Sequence, residues 1–342
     1  MVTIADVARQ AGVSIATVSR VLSPGQQPHP VSPATAERVR AAARELRFVP
    51  SAIAQGLVER RSGLIGLLVP DLSDPYYPNV ASGVERSARA AKLSVLICNT
   101  LGEESHLRDY VRLLRARRAD AIVISGGSSL TRRELDMLTQ LEMPVVLIGR
   151  PIEAGLTCVC VDNYGAARWV TQHLVDLGCK RLAHLAGPQQ QSTMQDRLAG
   201  FRLIVADARV EFEVIESSGT IEDGYNVMGD RLARPGPRPD AVFGATDRLA
   251  IAAMAAIQDA GLRVPQDVAV VGFDDIPLAA MLRPSLSSVA QPAEVLGEKA
   301  IELALRLAAG DKVKSISLDA RPVFRASTEG GSDRERARYR LE

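Results

Sequence analysis

What the chain lacks narrows its class first. Its four cysteines, Cys98, Cys158, Cys160 and Cys179, contain no CxxC pair, and each lies in or beside an apolar run, as buried free thiols do. The four histidines, His29, His106, His173 and His184, are scattered without ligand-like spacing, so no metal is expected. The N-terminus has no continuous apolar h-region and no later stretch is long enough to span a bilayer, so a cytoplasmic address without a membrane partner is expected. Enzyme signatures are missing as well: no GxGxxG after a strand, no GxxxxGK[ST] loop, no GxSxG elbow and no HExxH. Asp274-Asp275 hints at acid–base chemistry, but neighbours on one loop do not by that fact flank one bond, and ligand hydrogen bonding or loop capping is the expected use. Gly126-Gly127 reads as a strand-to-helix turn rather than a phosphate cradle. A non-enzyme without cofactor is expected.

One further absence is local. Residues 1–61 hold no lysine, yet their eight arginines against four acidic side chains give a balance of +4 in a chain whose total is +1, leaving three net negative charges on the rest. Basic charge gathered at one end is an electrostatic footprint for nucleic acid.

The same end carries a helix-turn-helix pattern. Thr3 is placed to cap a first helix, with Asp6 three residues on as its capping-box partner, and Val7, Ala8 and Ala11 form one apolar stripe. Gly12 stands where that helix must stop, and Ser14 is the N-cap of a second helix beginning at Ile15. In that helix Val18, Val21 and Leu22 fall on one side and Ile15, Ala16, Ser19 and Arg20 on the other, the side that would enter a major groove. A third helix from Ser32-Pro33 to about Leu46, with Val39, Ala42, Ala43 and Leu46 as its apolar face, can close a small core. An ordinary amphipathic helical hairpin is the bland alternative.

At 342 residues and 46% hydrophobic content the chain has room for this head and one or two larger domains. After Arg61 short apolar strands alternate with helices. The strands are expected at 64–69, 94–99, 121–125, 145–148 and 157–161, and the helices at 79–91, 103–117 and 130–142. A second series follows, with strands at 181–186, 213–216, 241–243 and 268–271 and helices near 164–177, 192–208, 223–234 and 247–260. A helix at 294–309 and strands near 315–318 and 322–325 could cross back between the two lobes. The expected fold is a small all-α helix-turn-helix head plus a two-lobed α/β core of parallel doubly wound sheets, with a ligand cleft between the lobes.

With these residues in view, the chain resembles the lac repressor (LacI/GalR) family of bacterial transcription regulators. The resemblance runs from residue 1 to about 328. Beyond the opening motif it rests on Arg47-Phe48-Val49-Pro50-Ser51-Ala52-Ile53-Ala54-Gln55-Gly56-Leu57, Gly66-Leu67-Leu68-Val69-Pro70-Asp71, Val161-Asp162-Asn163, Leu185-Ala186-Gly187-Pro188 and Val271-Gly272-Phe273-Asp274-Asp275. It implies a periplasmic-binding-protein-like core and this division: 1–48 a DNA-binding head, 49–61 a hinge helix and linker, 62–161 plus 292–320 a first lobe, 162–291 plus 321–328 a second lobe, and 329–342 a charged tail.

The resemblance also assigns roles. Thr3, Ser14, Ile15, Ala16, Thr17, Ser19 and Arg20 would meet DNA, joined by Ser51, Ala54 and Leu57 of a hinge that folds on the operator. Leu57 would wedge into the minor groove, although by residue type alone it reads as core. Apolar Ile15 and Ala16 suit thymine methyls, and Arg20 suits a guanine or a phosphate. Asp71, Tyr76, Ser125, Arg197, Thr246, Asp274 and Gln291 would take an effector, a sugar, sugar phosphate or nucleoside. Taken singly, Arg197 could be a surface helix charge, Gln291 a crossover residue and Tyr76 packing.

Some positions depart from the family. Gly149 and Thr246 stand where many relatives place aspartate and asparagine, an aromatic is missing near Gly219-Thr220, Ser23–Pro30 is long, and Arg47 replaces a glycine or asparagine. The tail has four basic and four acidic residues and no leucine heptad, so a homodimer rather than a tetramer is expected. The combined expectation is a dimeric, ligand-responsive repressor on a pseudo-palindromic operator of double-stranded DNA in the bacterial cytoplasm, nucleoid-associated when DNA-bound. A transporter's solute-binding protein would share the two lobes but need a signal sequence in place of the head.

Overall fold

A computed structural model describes residues 2–22, 31–48, 62–126, 130–149 and 155–329. The hinge expected at 49–61, with Ser51, Ala54 and Leu57, lies outside the described residues, as do the 23–30 connection and nearly all of the tail. The chain divides into two compact units, Met1–Leu64 with Arg115–Asp120, and the remainder.

The first unit contains α1 (Ile4–Ala11), α2 (Ile15–Leu22) and α3 (Pro33–Glu45). Thr3 and Asp6 form the full capping box at the start of α1, and Gly12 closes the helix at φ 63°, where a Cβ would be strained. Ser14 Oγ accepts the Thr17 N–H at 3.1 Å, and Ser32 caps α3 with Pro33 behind it. Val7, Ala8, Ala11, Val18, Val39, Ala42 and Ala43 form the buried centre. Leu46 is only half-buried at the α3 C-cap, and Arg47 adopts φ 49°, the left-handed turn that glycine would enter more cheaply.

The second unit is α/β. In order it runs β1 (Leu64–Val69), α4 (Tyr76–Ala90), β2 (Ser94–Asn99), α5 (Glu104–Ala116), β3 (Ala121–Ser125), α6 (Arg132–Thr139), β4 (Val145–Ile148) and β5 (Thr157–Val161). It continues with α7 (Asn163–Asp176), β6 (Arg181–Ala186), α8 (Ser192–Ala208), β7 (Glu211–Glu216), α9 (Ile221–Ala233), β8 (Ala241–Gly244), α10 (Asp247–Asp259) and β9 (Ala269–Val271). A 3₁₀ turn (Pro277–Ala280), β10 (Ser288–Ala290), α11 (Ala293–Ala308), β11 (Ile316–Leu318) and β12 (Arg321–Val323) complete it.

Two sheets result, one per lobe. The first has the order β11-β5-β4-β3-β1-β2, with β1 parallel to β3 in the register Leu67↔Val123. The second has the order β7-β6-β8-β9, with β6 parallel to both neighbours. In each sheet the strand order reverses beside a strand that begins a lobe, β1 and β6. Crevices open at such reversals, past the carboxyl ends of the strands.

The C-terminal return is divided between the lobes. Helix α11 packs on α4 so closely that a Cβ on Gly297 would lie 2.3 Å from the Val80 carbonyl oxygen, and β11 extends the first sheet beside β5. Strands β10 and β12 pair antiparallel as a separate ribbon. Ser288–Ala290 was not anticipated as a strand, because three residues with one polar side chain carry no periodicity. Three boundaries also shift: α6 is shorter than 130–142, β7 begins at Glu211, and α4 begins at Tyr76 because Asp74 Oδ1 accepts the Tyr76 N–H at 3.0 Å.

Candidate functional site

A cavity of about 520 Å³ opens between the two lobes of the second unit, where Pro70 and Asp71 follow β1 and Gly187 and Pro188 follow β6. Asp71, Tyr76, Arg197, Thr246, Asp274 and Gln291 all line it. Of the seven sequence-chosen effector residues, six therefore meet at one place. Ser125 does not: it faces a smaller neighbouring cavity of about 220 Å³, and its buried Oγ has no partner among the described residues. Its place at the end of β3 aims it beside the main cleft rather than into it.

Arg197 is the most tightly held of the group, and it is no surface charge: only 4% of it is exposed. Helix α8 turns it inward with Met194, Leu198 and Phe201. Its Nη1 donates to the Ala245 carbonyl at 2.6 Å, its Nε to Asn163 Oδ1 at 3.0 Å, and its guanidinium lies 3.6 Å from the centre of the Phe273 ring. Nη2 stands 3.6 Å from Asp274 Oδ1, an ion pair without a close hydrogen bond.

Asp274 sits at a strained corner, φ 119°, fixed by its N–H donating to Val289 O at 2.9 Å. Gln291 Nε2 donates to its Oδ1 at 2.6 Å. Burial pushes the Asp274 carboxyl well above the usual carboxylate range, and the nearby Arg197 offsets this only in part. Burial likewise raises the Tyr76 phenol, which therefore stays a neutral donor–acceptor. The result is a preorganised set of neutral and paired polar groups around an apolar floor, suited to hydrogen-bonding a hydroxylated molecule.

Other side chains have local duties. The Thr246 hydroxyl accepts the Leu249 N–H at 3.2 Å and so caps α10. Gly149, at φ 147°, and Gly219, at φ 86°, line the cavity without side chains; a Cβ on Gly149 would meet nothing within 4 Å, whereas one on Gly219 would lie 2.9 Å from the Pro188 Cδ. Asn163, Asp74 and Arg248 line the cavity too and were missed by sequence reasoning. Asn163 lay inside a quoted motif, and Arg248 follows Asp247 directly before the apolar run Leu249-Ala250-Ile251.

In the head, Ile15 is 52% exposed, Ala16 and Arg20 are exposed beside it, and Ser19 and Thr17 are half-buried. Two chosen residues are helix caps, and a third answers one of them: Thr3 pairs with Asp6, and Ser14 Oγ accepts the Thr17 N–H and bonds the Thr17 hydroxyl. Among the described residues no cluster of three or more His, Cys, Asp or Glu is placed to hold a metal.

Comparison with known proteins places both units. Residues 3–51 match the family described as bacterial regulatory proteins, lacI family, and residues 171–328 match a periplasmic binding protein-like domain. The chain is 35% identical to the ribose operon repressor of Halalkalibacterium halodurans over 98% of this chain and 100% of that one. Among solved structures it is similar to the lac repressor dimer bound to operator and the anti-inducer ONPF, at 28% identity and a TM-score of 0.87, covering 96% of this chain and 99% of that chain. It is also similar to the transcriptional regulator CelR in complex with cellobiose, at 31% identity and a TM-score of 0.70, covering 96% and 100%.

Proposed function

The chain belongs to the lacI family of bacterial regulatory proteins, and from that premise we propose a division of labour among its residues. It is a DNA-binding transcriptional repressor and not an enzyme, acting as a dimer on operator DNA and answering to a small-molecule effector. We assign operator reading to Ile15, Ala16, Ser19 and Arg20 on α2, with Thr3, Ser14 and Thr17 setting the helix ends beside the phosphates. Ser51, Ala54 and Leu57 are assigned to a hinge that folds on DNA. The effector is assigned to the cleft, with Arg197, Asp274 and Gln291 as its fixed contacts, Asp71, Tyr76 and Thr246 around them, and Ser125 at the margin.

The observation that carries this reading is the convergence of Arg197, Asp274 and Gln291, drawn from three separated stretches of chain, on one cavity between the lobes. A relative named for the ribose operon and a neighbour solved with cellobiose make neutral sugars the first effector class to test, ahead of sugar phosphates and nucleosides. A regulator of this kind works beside the chromosome in the bacterial cytoplasm, nucleoid-associated when bound. The two-lobe boundaries, 62–161 plus 292–320 and 162–291 plus 321–328, and the tail from 329, belong to the same proposal.

The test is a thermal-shift screen of sugars and nucleosides, with and without operator DNA. A compound that raises the melting temperature of the parent and fails with Arg197→Ala supports the cleft assignment. An undiminished shift in that variant removes Arg197 from the site. For the hinge, Leu57→Ala is expected to weaken operator binding more than binding to unrelated DNA; an equal loss on both refutes the wedge.

A further inference from the structure

We infer that Arg248 is a clasp, a positioning residue that ties the second lobe to the first across the effector cleft. The inference rests on reading that cavity as the effector site. Arg248 is the second residue of α10, where the positive end of the helix disfavours a cation. The adjacent Asp247 does not compensate, since its carboxylate is committed to the Ser288 hydroxyl and the Ile276 N–H. The guanidinium instead crosses 177 positions of sequence: Nη1 donates to Asp71 Oδ2 at 2.8 Å, and Nη2 stands 3.6 Å from Asp74 Oδ2.

Both carboxylates are set in place by their own loop. Asp71 Oδ1 accepts the Ser73 N–H and hydroxyl at 2.9 and 2.6 Å, and Asp74 Oδ1 accepts the Tyr76 N–H at 3.0 Å. Burial works to raise the Asp71 carboxyl, but its bonds to Ser73 and Arg248 together outweigh that and hold it below the usual range. The Arg248 side chain is 15% exposed, and its Nε is buried without a partner among the described residues. The crossing contact is therefore carried by the two terminal nitrogens. All three side chains line the cavity, so the pairing lies beside the ligand's position and stiffens or releases with lobe movement. Without the guanidinium, two carboxylates would face the cleft unpaired, which favours separation of the lobes.

The test uses the full chain carrying bio-orthogonal spin labels at Glu142 in the first lobe and Asp207 in the second, both exposed. Interlobe distances are measured by double electron–electron resonance without added effector. Arg248→Met is expected to raise the long-distance population roughly fivefold or more, and Arg248→Lys, which keeps the charge, to restore most of the parent distribution. The double variant Asp71→Asn with Asp74→Asn breaks the clasp from the other lobe and is expected to raise the long-distance population over the parent as well, which decides the matter if Arg248→Met folds poorly. A parent-like distance distribution in Arg248→Met, or in the double variant, overturns the clasp. Because no effector is added, that result is separate from any failure of the cleft to bind one.

Discussion

The reading head and the effector cleft are built on opposite terms. The exposed face of α2 comes from Ile15, Ala16 and Arg20, a few neighbours on one helix, and helical geometry alone sets their spacing. The cleft draws on Asp71, Arg197, Asp274 and Gln291, brought together only by two sheets and their crossovers. The head offers side chains to water and to a long-range field of phosphates; the cleft removes charges from water and must pair each of them. A surface of the first kind tolerates a lost contact, whereas a buried network of the second kind does not.

The comparison can be broken most directly at Arg197. Arg197→Ala leaves Asp274 buried without its cation and frees acceptors on Asn163 and Ala245, so the α/β unit is expected to lose about 3–5 kcal/mol. Urea unfolding followed in that unit reads the loss. Unchanged stability would mean that the cleft is as forgiving as a surface.

Val18→Ala sharpens the other side. Val18 is fully buried in the small centre of the head, and its truncation is expected to cost about 2 kcal/mol there. Operator affinity measured by fluorescence anisotropy should fall, while a stabilising effector still shifts the melting of the α/β unit as in the parent. An altered effector shift would show that the two regions are not separable.

The smallest effect near neutral pH is a pH dependence carried by two histidines of the second lobe. Burial lowers His184, stacked on Phe201 and tilted against Phe243, from 6.5 to about 3, and lowers His173 from 6.5 to about 4. Unfolded, both take up protons near pH 6.5, so their contribution is fully present above that pH and is lost as the pH falls toward 4 and 3. Asp247 runs the other way: burial raises it to about 6, so what it contributes at low pH is lost as the pH rises through that value. His184→Phe removes one of the two histidine contributions and should flatten the fall of melting temperature between pH 6.5 and 4 relative to the parent. An identical slope would refute the assignment.

Legibility followed the same division. The caps Thr3 and Ser14, the stop at Gly12 and the stripe Val7, Ala8, Ala11 are local signals, and each appears where the residues placed it. The two parallel sheets were legible from apolar runs alternating with helices, and β12 as a strand near 322–325, whereas its partner β10 was not, because Ser288-Val289-Ala290 carries no apolar run. In the cleft, the resemblance pointed to Arg197, Asp274 and Gln291, but it gave no sign that Arg248 reaches Asp71 or that Ser125 turns aside into another cavity.

By itself the sequence determined the helices, their caps and the apolar faces, since these depend on neighbours within a few residues and on the 3.6 and 2.0 periods of the backbone. Tertiary structure alone decided which distant charges pair, which hydroxyls cap and which face the cleft, and how far burial moves a carboxyl or an imidazole. Those outcomes depend on distance and on exclusion of water, and neither is written in the order of residues along the chain.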